Sequence, residues 1–255
     1  MSRHLALIGI GAGDPDWITL EAVKAVQTID VLFVVLKEND LDELVDARRE
    51  IVARHRSTPL RTVELHDPPR PWRTAADYNA AVARWRQQRL DQWSAAVASE
   101  LAEGQTGGFL VWGDPSLYES TLAIVKELIA APAAADSPIA LRVIPGVSSV
   151  LALAAHHQIP LNRQGRAVQI SPARLLREGM PPGLDDAVVM LDGRQTFASI
   201  DPEGLDIYWG AYLGTPDEIL VAGPLAEVRQ QILDTRAEAL ERKGWVFDTY
   251  LLRRR

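Results

Sequence analysis

Three short segments of this sequence place glycine, an acid or small hydroxyl side chains directly after an apolar run. They are residues 9–15, 112–118 and 145–149. An apolar run that stops at glycine and proline is typical of a buried strand ending in a turn, so we predict each segment at the carboxyl end of a strand. Open α/β sheets bind their ligands at that edge. Each turn alone also fits a strand-to-helix connection with a capping Asp or Ser, but three turns of one design favour a ligand site.

The glycine spacing of the first turn indicates which ligand it suits. Gly9, Gly11 and Gly13 are followed by Asp14, whereas the dinucleotide fingerprint G-x-G-x-x-G requires glycine at residue 14. A carboxylate would stand where a pyrophosphate should meet the helix N-terminus. The turn therefore favours an uncharged or cationic ligand, with a nicotinamide or flavin site as the alternative. Asp14 is itself a candidate general base, or else a helix cap.

The first 159 residues alternate apolar runs with amphipathic stretches, which predicts a parallel open sheet with flanking helices. The predicted strands cover residues 5–10, 31–36, 61–65, 109–112 and 141–144, and the predicted helices cover 20–29, 40–56, 74–103, 117–130 and 149–157. Thr19, Ser116 and Ser148 are predicted helix caps. Trp85 and Trp93 share one stripe of the longest helix, a spacing that favours core or interface contacts.

The pattern changes near residue 160, where we place the boundary between domains 1–159 and 160–255. Five shorter extended segments follow, with one clear helix at 224–242, and strands without a helix between each pair predict a mixed sheet. The extended segments are 167–171, 187–192, 206–212, 218–222 and 246–252. The terminal Arg253, Arg254 and Arg255 are predicted to form a solvated tail.

Composition narrows the function classes. The chain of 255 residues has no cysteine, so disulfides, thiolate metal sites and cysteine nucleophiles are excluded, and we predict no metal. A net charge of −7 argues against nucleic acid as a partner. The N-terminal apolar run is short and leads into glycines, as in a strand rather than a signal peptide, and no segment has the length of a membrane span. We expect a soluble, cytoplasmic protein.

Four motifs taken together resemble the tetrapyrrole methylase family, the S-adenosylmethionine-dependent enzymes of cobalamin and sirohaem synthesis. They occur in family order and span nearly the whole chain, at residues 8–15 with Thr19, 112–118, 145–149 and 214–218. Within the family, an insertion at residues 37–51, the Trp-rich helix and the variant form of segment 111–118 look like the deacetylating precorrin-6A synthase branch.

The resemblance implies two α/β domains with S-adenosylmethionine in the trough between them, in a homodimer. It implies methylation of carbon 1 of precorrin-5, with the acetyl group released as acetate. The cofactor contacts carried over from the family are Ala12, Trp112, Gly113, Asp114, Leu117, Ser148, Ser149, Leu191, Asp192 and Gly214. Because the macrocycle bears many carboxylates, the candidate substrate contacts are the loop arginines Arg70, Arg163, Arg166 and Arg174.

Two loops offer a base for proton removal or water activation. Asp14 is one candidate; His66, with Asp67 beside it, is the other, and a solvated loop histidine is the alternative reading of His66. Two further readings of the whole chain stay open. One is a relative that methylates another macrocycle position, a protein or ribosomal RNA, and the other is a Rossmann-type nucleotide-binding module.

Overall fold

The computed structural model describes residues 2–36, 42–69, 77–131 and 138–255. The chain divides into two compact units. Unit 1 comprises Met1–Gly11 and Pro15–Val147, and unit 2 comprises Ala12–Asp14 and Ser148–Arg255. No helix in the described ranges is both long and apolar enough to cross a bilayer.

Unit 1 contains a five-stranded sheet in the order β3-β2-β4-β1-β5, with every neighbouring pair parallel. Its strands are β1 (Arg3–Gly9), β2 (Val31–Leu36), β3 (Arg61–His66), β4 (Thr106–Val111) and β5 (Ile139–Ile144). The central strands form because nearly continuous apolar runs can be buried on both sheet faces; Leu5, Leu7 and Ile8 are fully buried. The parallel sheet predicted from the sequence is confirmed.

The helices of unit 1 cover the two faces of this sheet. They are α1 (Leu20–Thr28), α2 (Asp42–His55), α3 (Tyr78–Glu100) and α4 (Thr121–Ala130). The Thr19 hydroxyl caps α1 by accepting from the Ala22 N–H at 3.1 Å, as predicted. The tryptophan stripe of α3 is a core feature, also as predicted: Trp93 is fully buried and stacks on Phe109 with ring centroids 5.1 Å apart.

The predicted helix 117–130 begins four residues later than expected, so the predicted cap at Ser116 is wrong. The Ser116 N–H and hydroxyl both donate to the Asp114 carboxylate, which holds this stretch in a tight turn. Tyr118 then adopts a left-handed backbone with φ +50°, which a helix cannot include. The Glu119 carboxylate accepts from the Thr121 N–H at 2.9 Å and satisfies the start of α4 instead.

Unit 2 contains a mixed five-stranded sheet in the order β6-β7-β10-β8-β9, which confirms the predicted mixed sheet. Its first pair is parallel and the others are antiparallel. The strands are β6 (Val168–Pro172), β7 (Asp186–Met190), β8 (Leu205–Ala211), β9 (Ile219–Pro224) and β10 (Asp248–Arg254), and the helices are α5 (Ser149–His156) and α6 (Leu225–Lys243).

The C-terminal arginines are not the solvated tail predicted from the sequence. Arg253 and Arg254 are the last residues of β10, the central strand of the second sheet, and the exposed Arg255 follows it. Arg253 is buried and its guanidinium donates to the Asp186 carboxylate at 2.7 Å. Arg254 donates to the main-chain oxygens of Leu184 and Met180, both at 3.0 Å. The run of like charges was therefore wrongly interpreted as a tail, because it includes the end of a strand whose charged side chains have partners within unit 2.

Contacts divide the chain between Val147 and Ser148, whereas the change of pattern in the sequence suggested residue 160. The difference lies in α5, which contacts β8 and β10 of the second sheet. The His157 ring at its end also bonds the Trp209 main-chain oxygen at 3.0 Å. In the chain, α5 follows the last strand of the first sheet and precedes the first strand of the second. Its apolar sequence does not show which of the two sheets it covers.

Candidate functional site

Three glycine turns of unit 1 meet at the carboxyl edge of the first sheet. The register aligns Gly9 at the end of β1 with Val111 of β4, and Ile8 with Ile144 of β5. Beyond the strands, Gly11 and Gly113 form an antiparallel bridge in which the Gly113 N–H donates to the Gly11 oxygen at 2.7 Å. The predicted meeting of these three turns is therefore present within unit 1.

Close backbone packing explains why two of these positions are glycine. A Cβ on Gly146 would lie 2.1 Å from the Gly113 oxygen, and a Cβ on Gly9 would lie 2.5 Å from the Gly146 nitrogen. Any side chain would push the turns apart. We call Gly9, Gly11, Gly113, Asp114 and Gly146 the glycine cluster.

Asp114 fastens the second turn to the third. One carboxylate oxygen accepts from the Gly146 N–H at 3.0 Å, and the other accepts from the Ser116 N–H at 2.8 Å and from the Ser116 hydroxyl. Burial alone would raise the pKa of Asp114, but these hydrogen bonds favour the carboxylate and hold the pKa below its usual range. Asp114 is therefore an anion at neutral pH.

The glycine cluster fits the expected cofactor better than it fits a dinucleotide. Gly113 has φ +68°, and apart from its chain neighbours no described residue places an atom within 4 Å of the position a Cβ would take, so there is space for a ligand on that side of its backbone. Backbone groups and a fixed carboxylate suit a ligand with a sulfonium, an ammonium group and hydroxyls. The carboxylate of Asp114, by contrast, would repel the negative charges of a pyrophosphate.

The other predicted residues of unit 1 divide between the turn and the edge strand. Trp112 is half-buried and packs against the hydrophobic core of unit 1, and the Leu117 N–H donates to the Asp114 main-chain oxygen at 3.2 Å. His66 is exposed on the edge strand β3, with its ring 3.7 Å from the Glu64 carboxylate. Arg70, like residues 37–41 of the insertion, lies outside the described residues.

Asp67, the second candidate in that loop, belongs to a buried ion pair that the sequence reading missed. Its carboxylate accepts from the Arg89 guanidinium at 2.6 Å, and both side chains are 3% exposed. The guanidinium lies over the rings of Trp85 and Trp93, at 4.6 and 4.8 Å from their centroids. Asp67 is therefore engaged in an ion pair with a fixed cation, which argues against its use as a base. The feature of the sequence that could have indicated this ion pair is Arg89 itself, an arginine on the otherwise apolar stripe of α3.

In unit 2, the loop containing Asp14 packs against the turn containing Gly214. A Cβ on Gly13 would lie 2.4 Å from the Leu213 oxygen and 2.9 Å from the Gly214 carbonyl carbon. Gly214 itself has φ +75°, and its N–H donates to the Glu218 carboxylate at 2.8 Å. Two separate sequence motifs thus form one structural feature. The cap of α1 is Thr19, so the capping role considered for Asp14 does not apply to that helix.

Ser148 and Ser149 open α5, where Ser148 is the predicted cap and accepts from the Leu151 N–H. Asp192 follows β7 and is buried; its carboxylate accepts from the Thr196 N–H at 2.6 Å and from the Tyr250 hydroxyl at 2.7 Å, so it fixes its own turn. Leu191 projects from that turn, 63% exposed with φ +58°. Ala12 is buried.

Two predicted substrate arginines lie at the opposite edge of the second sheet from Leu191. Arg163 donates to the Asp186 carboxylate at 3.1 Å, and Arg166 pairs with Asp185, both at the amino end of β7. Arg174 is exposed in the short helical turn after β6. This placement gives no support for a substrate role of Arg163 and Arg166, which stays a prediction.

The fold is that of tetrapyrrole methyltransferases. A crystal structure of a cobalamin synthesis related protein (CobF) from Corynebacterium diphtheriae aligns over 100% of this chain and 99% of its own, with TM-score 0.84 and 31% identity. Uroporphyrin-III C-methyltransferase from Thermus thermophilus, in a complex with S-adenosylhomocysteine, shares the fold at TM-score 0.57 and 19% identity, over 98% of this chain and 96% of its own.

Sequence comparison identifies the family to which the chain belongs, beyond the shared fold. Residues 4–229 match the family of Tetrapyrrole (Corrin/Porphyrin) Methylases. The precorrin-6A synthase [deacetylating] of Sinorhizobium sp is 44% identical over 254 residues, covering 99% of this chain and 95% of that protein. The chain belongs to the tetrapyrrole methylase family, whose members are S-adenosylmethionine-dependent methylases.

Proposed function

We propose that this protein transfers the methyl group of S-adenosylmethionine to carbon 1 of precorrin-5 and releases the acetyl group as acetate, in cobalamin biosynthesis. The observation that carries the proposal is the glycine cluster with its charged Asp114, in a chain that is 44% identical to a deacetylating precorrin-6A synthase over almost its full length. The glycine spacing and the fixed carboxylate argue against the alternative Rossmann-type nucleotide site.

The bound cofactor supplies an electrophilic methyl group on a sulfonium. Transfer of that methyl group would break the carbon–sulfur bond as the new bond forms at the ring carbon, with S-adenosylhomocysteine as the leaving group. The protein has to align the two partners and exclude water from the methyl group. We assign cofactor positioning in unit 1 to the open Gly113 backbone and to Asp114, which keeps the turn in place.

Loss of the acetyl group consumes a water molecule, whose oxygen attaches to the acetyl carbonyl carbon as the bond to the ring breaks. A base must take a proton from that water. Among the candidates we favour Asp14, because it sits on a loop packed against the Gly214 turn. His66 is exposed on an edge strand, and Asp67 is neutralised by Arg89. We further propose that the enzyme acts as a cytoplasmic homodimer.

The direct test is incubation of the purified protein with precorrin-5 and S-adenosylmethionine carrying a labelled methyl group. We expect a macrocycle that has gained the label and lost its acetyl group, with one equivalent each of acetate and S-adenosylhomocysteine. Parallel incubations use ribosomal RNA, protein extract and earlier precorrins as acceptors. Labelling of one of these in place of precorrin-5 would contradict the proposed substrate.

A further inference from the structure

We infer that Glu218, supported by His156, is a positioning residue that fixes the Gly214 turn for cofactor binding and, through it, the loop that presents Asp14. This inference rests on the proposed function. It concerns residues of unit 2 alone, and neither Glu218 nor His156 was a predicted site residue.

The Glu218 carboxylate joins two distant parts of the chain. One oxygen accepts from the Gly214 N–H at 2.8 Å, and the other lies 2.7 Å from Nδ1 of His156 on α5. The Glu218 side chain is 21% exposed and that of His156 is 32% exposed. Both carboxylate oxygens are thus committed in a partly buried place, where a hydrogen bond to a carboxylate is stronger than in open solvent.

The backbone of the turn needs this support. Tyr212 has φ +50° and Gly214 has φ +75°, so two residues in three adopt the left-handed region. A bulky residue in that region is strained and persists only when its surroundings determine it. The Tyr212 oxygen accepts from the Thr215 N–H at 3.0 Å and from its hydroxyl at 2.8 Å, which closes the turn. Glu218 holds Gly214, one of the two residues that lie between Tyr212 and Thr215.

The Gly214 turn also supports the loop that contains Asp14. Gly13 approaches it so closely that even a methyl group would lie 2.4 Å from the Leu213 oxygen. A shift of the peptide between Leu213 and Gly214 therefore moves the surface on which Gly13 rests, and with it Asp14. The sequence of contacts runs from His156 through Glu218 and Gly214 to the candidate base.

The same turn provides a matched control. Asp217 is the neighbour of Glu218, but its carboxylate faces outward to Lys243 and Arg242 on α6. These cations hold the pKa of Asp217 below its usual range by hydrogen bonding and charge. Asp217→Ala removes an ion pair from the turn without freeing the Gly214 N–H. It therefore separates a general loss of turn stability from loss of positioning.

The experiment is calorimetric titration of the full chain with S-adenosylhomocysteine, together with urea unfolding of each variant. We expect Glu218→Ala to weaken binding about tenfold or more, as for loss of a hydrogen bond to a charged group, and His156→Ala to weaken it about fivefold. Glu218→Gln should restore most of the affinity, because its amide oxygen can accept from Gly214 and its NH₂ can donate to His156. Asp217→Ala should bind like the wild type.

Equal affinity of wild type, Glu218→Ala and His156→Ala would overturn the inference. So would weakening by Asp217→Ala as large as that by Glu218→Ala, since the effect would then be one of stability alone. If Glu218→Ala does not fold, the His156→Ala and Glu218→Gln titrations still decide. A wild-type protein that does not bind S-adenosylhomocysteine contradicts the proposed function instead, and that titration is made first.

Discussion

Single residues of the site act mainly by holding backbone. Asp114 accepts from the Gly146 N–H, Glu218 accepts from the Gly214 N–H, and each carboxylate uses its second oxygen for another anchor. A carboxylate that bonds two separate segments fixes both, and in Asp114 the bonds also hold the pKa below its usual range. The acids of the family motifs therefore have a physical role before any ligand is considered.

Two adjacent histidines at the end of α5 differ in their surroundings, and this gives a prediction about pH. Burial lowers the pKa of His157 below its ordinary 6.5, and this outweighs the bond to the Trp209 oxygen and the nearby Glu218 carboxylate. The unfolded chain then takes up a proton more readily than the folded one, so stability falls as the pH drops below 6.5.

We expect His157→Gln, which can still donate to the Trp209 oxygen, to lose less stability on acidification than the wild type. The measurement is the free energy of unfolding in urea at about pH 7.5 and about pH 5.5. Parallel losses in the two proteins would show that His157 does not carry this pH dependence.

At the level of elements, α3 connects loops that follow two different strands. Arg89 reaches the Asp67 carboxylate after β3, and its guanidinium also donates to the Ser120 hydroxyl before α4 at 3.1 Å. The Trp85 indole N–H donates to the Pro68 oxygen at 2.8 Å. The helix therefore sets the relative position of two segments at the carboxyl edge of the first sheet.

Removing one partner of this buried pair should be costly. We expect Arg89→Gln to lower the free energy of unfolding by about 3–5 kcal/mol, because it leaves the Asp67 carboxylate buried without its cation. The matched control on the same helix is Arg86→Gln. Arg86 pairs with Glu127 at the surface, where a salt bridge contributes about 1 kcal/mol or less. Urea denaturation of both variants decides, and similar losses would contradict this account of α3.

The sequence predicted the strands well, and it predicted the residues between them less well. Nearly continuous apolar runs located the central strands β1, β2 and β4, because a central parallel strand is buried on both faces. The less apolar edge strands β3 and β5 were predicted as well. The start of α4 was wrong because the Asp114 carboxylate captures Ser116, a local competitor that hydrophobic periodicity does not register. The meeting of the glycine turns was predictable, since carboxyl ends of parallel strands share an edge.

At the scale of the whole molecule, the contacts between distant segments were the least predictable. Residues 12–14 follow the first strand yet belong to unit 2, and α5 joins the second sheet although the pattern changes only at residue 160. Arg253 and Arg254 form part of a central strand, in which Arg253 lies opposite Asp186 in the register and bonds its carboxylate. Each of these depends on partners far along the chain, which no local pattern encodes.

The central claim is that the glycine cluster of unit 1, fastened by Asp114, binds S-adenosylmethionine. Calorimetric titration with S-adenosylhomocysteine of the wild type, Asp114→Ala and the control Asp46→Ala tests it most directly; Asp46 lies in an exposed pair with Arg49 on α2. We predict binding by the wild type and by Asp46→Ala, and about a hundredfold loss in Asp114→Ala, equivalent to roughly 3 kcal/mol for charge-assisted bonds. Wild-type affinity in Asp114→Ala would contradict the claim.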